Sequence, residues 1–204
     1  DSTIVEHQLT TDGEKDYAYG GGYTAKENDD EETIKKESEK RKSAYILWSA
    51  DSKKFALERE DSRKVKSLWV INNLNQPRPD LETYKYQMPG EKEAPQSELW
   101  VFDMNKKEGK QFDVSAFADQ TIGISRTNLS HKERIKDFVP RTWQGQNSEK
   151  LYFVRTSRDL HSIDICSVNT ETGEVKTLVE ERLNTYVEII DPWFINNESE
   201  FIHW

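Results

Sequence analysis

The sequence predicts an all-β protein, and three observations carry that reading. Strand-length runs separated by Asp, Asn, Gly and Ser turns recur along the chain, and few 3.6-residue periodicities compete with them. A Trp, a polar turn and a restarting strand recur as W-S-A-D-S-K-K-F-A from Trp48, W-Q-G-Q-N-S-E-K-L-Y-F from Trp143 and W-F-I-N-N-E-S-E-F-I from Trp193. A strand, an Asp or Asn, a short polar loop with Gly and a returning strand recur at Val101 to Lys110 and Ser167 to Val175. In both, glycine is expected to supply the positive φ of the hairpin turn.

Taken in order, Ile4 to Leu9 followed by T-T-D-G reads as a last strand and its turn, within a blade end at 1–25. Residues 26–43 hold one aliphatic residue, Ile34, among alternating charges, and read as a charged loop or a polar helix with pairs such as Glu32 and Lys36. Strands are expected at Tyr45 to Trp48, Lys54 to Arg59, Ser67 to Asn72, Glu98 to Asp103, Leu151 to Thr156, Ser162 to Val168 and Val175 to Val179. Between the third and fourth of these, Pro77 to Glu91 carries three prolines and a glycine around the β-prone Thr83 to Tyr86, and reads as a stiff extended connector. Residues 126–139 read as a short surface helix capped by Asn128 or Ser130. Trp48, Trp69, Trp100, Trp143 and Trp193 are expected to pack between sheets, and Cys166 to be a small buried hydrophobe.

The last two Trp elements begin 50 positions apart, the spacing of a four-stranded propeller blade. The expectation is a fragment of a β-propeller with two near-complete four-stranded blades plus partial blades. One blade spans 45–114 with an insertion at 61–96, a connector follows at 115–140, a second blade spans 141–183, and a partial blade spans 184–204. Both ends read as cut through structure, so the cut edges make a homodimer an expected partner.

Composition narrows the function. The net charge of -9 disfavours nucleic acid, since phosphate binding needs a positive footprint. No apolar run approaches a membrane span, despite eight Phe, eight Tyr and six Trp that argue against disorder. A lone Cys166 precludes an internal disulfide and disfavours a structural zinc site, and His7, His131, His161 and His203 lack ligand spacing, so no metal and no cofactor are implied. A G-x-S-x-G nucleophile elbow is absent: Gly123-Ile124-Ser125 begins like one, but Arg126-Thr127 breaks it, so no catalytic residue is assigned.

The runs F-A-L-E-R-E-D-S-R-K-V, L-W-V-I-N, L-E-T-Y-K-Y-Q-M-P-G-E and E-L-W-V-F-D, within 55–103, resemble the N-terminal β-propeller of bacterial dipeptidyl peptidase IV-like enzymes. These are serine peptidases of the prolyl oligopeptidase family. The resemblance extends over most of 45–204, and more weakly over 1–25 through Q-L-T-T-D-G and D-Y-A-Y-G. It implies a secreted or periplasmic enzyme that removes N-terminal dipeptides from peptide substrates. Its catalytic triad would lie on its own C-terminal α/β-hydrolase domain, beyond this chain, and the propeller would gate access to it. In dipeptidyl peptidases a glutamate pair clamps the substrate's terminal ammonium, which needs opposite charge and acceptors once partly desolvated. The acidic run Asp29 to Glu39 occupies the matching neighbourhood, ahead of the strand ending in W-S. Glu31 and Glu32 form its adjacent pair, while Glu37 and Glu39 stand nearer the expected offset with Ser38 between them. The resemblance also places Arg155, Arg158 and Asp159 at an inter-strand turn, as structural ion pairs. The rival reading is a non-catalytic β-propeller used as a scaffold or binding module.

Overall fold

The structure, a computed structural model, describes residues 5–20, 30–40, 44–127, 141–145, 147–188, 192–196 and 199–203. Among the described residues it contains one helix, α1 (Glu31–Glu39), and twelve strands. These are β1 (Leu47–Trp48), β2 (Lys54–Asp61), β3 (Ser67–Asn72), β4 (Asp80–Lys85), β5 (Gln96–Asp103), β6 (Glu108–Phe112), β7 (Thr121–Ile124), β8 (Lys150–Thr156), β9 (Ser162–Asn169), β10 (Val175–Arg182), β11 (Trp193–Ile195) and β12 (Glu200–Ile202). Contacts divide the chain into two units. The first holds 1–12, 46–58 and 98–204, and the second holds 13–45 and 59–97.

Two four-stranded sheets, ordered β1-β2-β5-β6 and β10-β9-β8-β7, form the first unit's framework, and β11 and β12 pair separately. The second sheet is antiparallel throughout, with Leu151 opposite Val168 and Phe153 opposite Cys166. Its central strands are buried on both faces because both faces are covered. Leu151, Phe153, Cys166 and Val168 join Leu47, Ala56, Leu99, Val101 and Phe112 of the first sheet in one core. Alternate residues Val154, Ile163 and Ile165 turn the other way and pack with Val187, Val179 and Phe201. Cys166 is fully buried, as its alternating strand implies.

The two sheets meet along a seam of polar contacts. The Trp48 amide donates to the Arg141 carbonyl (3.0 Å), and the Trp143 amide donates to the Trp48 carbonyl (2.9 Å). Ser148 Oγ donates to Asp51 Oδ2 (3.1 Å), and the Ile124 amide donates to Glu58 Oε1 (2.8 Å). A Ser-x-Asp device closes the β1–β2 and β8–β9 turns. Ser49 Oγ donates to Asp51 (2.8 Å) and Ser157 Oγ to Asp159 (2.6 Å), each turn passing through a residue of positive φ, Ser52 and Leu160.

Several sequence expectations change. Residues 5–9 carry no strand. The stretch Pro77 to Glu91 contains β4, which pairs with β3 as a hairpin in the second unit. Strand β7 lies within 115–140, read from sequence as connector, and supplies an edge strand of the second sheet. The helix expected at 126–139 falls almost wholly outside the described residues. Trp143 is buried at 1% exposure, but Trp69 and Trp193 are 63% and 50% exposed and do not pack between sheets.

The two outer hairpins also differ in their glycines. Gly173 has φ +85°, as the turn requires, whereas in the β5–β6 hairpin Lys107 takes the positive φ. Gly109 sits on β6 for another reason: a Cβ there would lie 2.4 Å from the Phe102 ring, which stacks on Phe55 at 4.9 Å. Gly109→Ala is therefore expected to cost about 1–3 kcal/mol through overpacking. Urea unfolding followed by tryptophan fluorescence measures this, and an unchanged midpoint would refute the close-approach reason.

The second unit holds α1, the β3–β4 hairpin and a cation seated on aromatic rings. The Arg59 guanidinium lies 3.3 Å from the Tyr17 ring centroid and 3.9 Å from that of Tyr19, and donates to the Tyr17 carbonyl (3.1 Å). Lys85 anchors the hairpin base, donating to the Val65 carbonyl (2.7 Å) beside Asp16.

Candidate functional site

The acidic run becomes a helix because its first residues are built for a helix start. Asp30 is the N-cap, its Oδ1 accepting the Thr33 amide at 2.6 Å, and that bond holds the Asp30 carboxyl below its ordinary pKa. Glu31 and Glu32 fill the first turn, where carboxylates face the positive end of the helix dipole, and Lys36 lies in the last turn. Both glutamates therefore have a structural reason to be there. Glu31 and Glu32 are exposed, as is Glu39, whereas Glu37 is half-buried and forms an ion pair with Lys40.

Helical geometry decides which carboxylates share a neighbourhood. Glu31 and Glu32 sit in one turn about 100° apart around the axis, and Glu37 and Glu39 lie in the last turn on different faces. None of the four is spaced three or four residues from another, the spacing at which helical side chains meet. The arrangement presents two exposed carboxylates at the helix start to a cation approaching from solvent.

In the first unit, charged groups converge on the seam between the sheets. A cavity of about 150 Å³ is lined by Lys54, Asp103, Lys106, Phe112, Thr170 and Glu171 among others. Lys54 is buried, donates to Thr170 Oγ1 (2.9 Å) and forms an ion pair with Glu171. The hydrogen bond that Lys54 donates to Glu171 Oε1 and the lysine's charge hold the Glu171 carboxyl below its ordinary pKa. At Asp51, burial opposes ionisation, yet hydrogen bonds from Ser49, the Lys53 amide and Ser148 hold its pKa low. These charges satisfy one another across the seam, so the cluster acts as a clasp between sheets. Sequence reading missed Lys54 as a cross-sheet cation, although a lysine opening the apolar run K-F-A-L was a signal.

A second buried cluster sits on β8, β9 and β10. Asp164, 2% exposed, accepts from Arg155 Nε (2.8 Å) and pairs with Arg182, while Arg155 also donates to the Val114 carbonyl and Thr177 Oγ1 (3.1 Å each). Arg155 thus pairs with Asp164, and Arg158 pairs with Asp119 at 2.9 Å. Asp159 instead closes its own turn, accepting from Ser157 Oγ and the His161 amide. Ser125 follows β7 as a buried residue, its amide donating to the Tyr152 carbonyl (2.9 Å). Among the described residues, no group of three or more His, Cys, Asp or Glu is placed to hold a metal ion.

The family model of the dipeptidyl peptidase IV (DPP IV) N-terminal region matches residues 2–204. The chain belongs to that family. The structure of dipeptidyl peptidase 4 from Porphyromonas gingivalis superposes with a TM-score of 0.63 at 20% identity, covering 94% of this chain and 24% of that one. A structure described as a dipeptidyl aminopeptidase IV, from Bacteroides ovatus, gives a TM-score of 0.53 at 18% identity, covering 74% of this chain and 19% of that one. None of the curated proteins compared with the chain matches it. At these identities the likeness establishes the fold: an all-β, partial β-propeller of the DPP IV N-terminal type. The chain spans about a quarter or less of those solved structures. No helix among the described residues is long and apolar enough to cross a membrane.

Proposed function

We propose that the chain is the substrate-gating propeller segment of a DPP IV-like serine exopeptidase that removes N-terminal dipeptides from peptides. The observation that carries this reading is the family match over residues 2–204. In this reading the reaction belongs to an α/β-hydrolase domain outside these 204 residues, and the enzyme works in the periplasm or outside the cell. The propeller segment limits access to peptides and orients their amino terminus.

The amine clamp is assigned to Glu31 and Glu32, whose carboxylates stand exposed at the start of α1. Glu37 is a weaker candidate because Lys40 already neutralises it, and Glu39 stands two turns away from the pair. A substrate ammonium between two carboxylates gains charge-assisted hydrogen bonds that a blocked amino terminus cannot make.

The test is hydrolysis by the full-length protein of a Gly-Pro chromogenic substrate, with and without an N-terminal blocking group. Cleavage of the free-amine form alone is expected. Glu31→Gln and Glu32→Gln are each expected to lower kcat/KM roughly ten- to a hundredfold on the free-amine substrate. Equal cleavage of both substrates would remove the clamp. Absence of cleavage would leave the non-catalytic scaffold in its place.

A further inference from the structure

The chain that carries α1 is closed at its base. Gly20 precedes the helix and Ala44 follows it, and the two touch: a Cβ on Gly20 would stand 2.8 Å from the Ala44 Cα. The chain therefore leaves and returns through one neck. The helix does little to place itself. Among its described side chains only Thr33 and Glu37 are half-buried, and Ile34, its one aliphatic residue, is 37% exposed. A helix with so small an apolar face gains little from packing, so its position depends on where the chain beside it is tied down.

The tie lies just before the neck. Residues 14–17 form a tight turn in which Glu14 and Tyr17 exchange N–H···O bonds (3.0 and 3.1 Å), and the Ser62 amide donates to the Asp16 carbonyl (2.9 Å). Arg63 lies over the Tyr17 ring at 4.0 Å, and Lys85 approaches Asp16 at 3.8 Å, but both cations are partly solvated. Arg59 is different: it is 1% exposed, and its guanidinium meets both Tyr17 and Tyr19, the residue next to Gly20. A guanidinium stacks well on aromatic faces, and desolvation strengthens the attraction. Arg59 thus carries the tie as far as the neck itself.

We propose that Arg59 is a positioning residue: seated on Tyr17 and Tyr19, it fixes the neck beside α1 and so holds Glu31 and Glu32 in place for a substrate ammonium. The functional half of this proposal rests on the amine-clamp reading above, and the anchoring half does not. Arg59 itself touches no substrate. It limits the motion of the two carboxylates before binding, so less freedom is lost when a cation settles between them.

Arg59→Met in the full-length protein tests this, since the Glu14 amide still serves the Tyr17 carbonyl when the guanidinium is gone. On the free-amine Gly-Pro substrate kcat/KM is expected to fall roughly tenfold, chiefly through KM. Labelling by a fluorophosphonate, which needs a serine nucleophile but no amino terminus, should keep its rate. Amide hydrogen exchange is the second readout and requires no activity. The Thr33 and Ile34 amides of α1 should exchange roughly tenfold faster, while those of β9 stay protected. Tyr19→Leu leaves the cation in place and should move both readouts the same way by a smaller factor. Unchanged α1 exchange in both variants overturns the proposal. So does unchanged kcat/KM once that exchange has quickened, or an equal loss of turnover and labelling. A native protein that cleaves no Gly-Pro substrate sinks the peptidase reading instead. Faster α1 exchange in the variants would then still uphold Arg59 as the anchor of the helix.

Discussion

Asp164→Asn is expected to lower the free energy of unfolding by about 3 kcal/mol, a large share of the roughly 5–15 kcal/mol that a typical domain has. Asp164 is 2% exposed and accepts from two arginines on neighbouring strands, Arg155 on β8 and Arg182 on β10. Removing its charge leaves the buried Arg155 guanidinium without its counter-charge, while the Val114 carbonyl and Thr177 hydroxyl offer only neutral acceptors. The penalty is thus the cost of a stranded cation rather than of one lost hydrogen bond. Urea unfolding monitored by tryptophan fluorescence measures it. Asp119→Asn serves as the comparison, since its pair with Arg158 is partly solvated and pairs of that kind contribute about 1 kcal/mol or less. Equal losses in the two variants would refute the argument. Replacing Arg155 by Met and Asp164 by Leu together is expected to recover much of the loss, because the double change strands no buried charge: Arg182 is partly solvated and also pairs with Glu180.

Trp143→Ala is expected to cost about 3–5 kcal/mol, the range for emptying a large aromatic site in a packed core. Trp143 is 1% exposed and belongs to the cluster shared by the two four-stranded sheets, with Leu47, Leu99 and Phe153. Its amide also donates to the Trp48 carbonyl, so the cavity opens beside the seam that joins the sheets. Trp143→Phe should lose less, because it keeps most of the apolar volume. Trp193→Ala, at a half-exposed position, should shift the urea midpoint little. If Trp193→Ala cost as much as Trp143→Ala, the assignment of the shared core would be wrong.

Much of the framework was legible along the chain. All seven expected strands correspond to observed strands within two residues at their starts, with Tyr45 to Trp48 shortened to β1. Such runs are visible because alternation of side chains is a local property, written at a spacing of two residues. Strand β7 escaped because T-I-G-I is short and holds a glycine, and its partner β8 begins 26 residues after β7 ends, with Lys150. Strand β4 escaped because prolines flank it, a pattern that signals a connector unless the strand lies at an edge. The glutamates at 31, 32, 37 and 39 were nameable from their neighbourhood, but not their geometry. That depended on Asp30 starting a helix and on Lys40 reaching Glu37.

The sequence by itself determined the all-β class, the positions of most strands, the family through the 55–103 block, and the burial of Cys166. These rest on residues near one another in the chain, where period and turn chemistry speak directly. Tertiary structure alone decided that Arg155 takes Asp164 rather than Asp159, that Lys54 reaches Glu171, and that Trp143 is buried while Trp69 stands open. Ion-pair choice and aromatic burial depend on strand register and on which sheet covers which face, and a contact such as Lys54 with Glu171, set across more than a hundred residues, leaves no periodic trace in the chain.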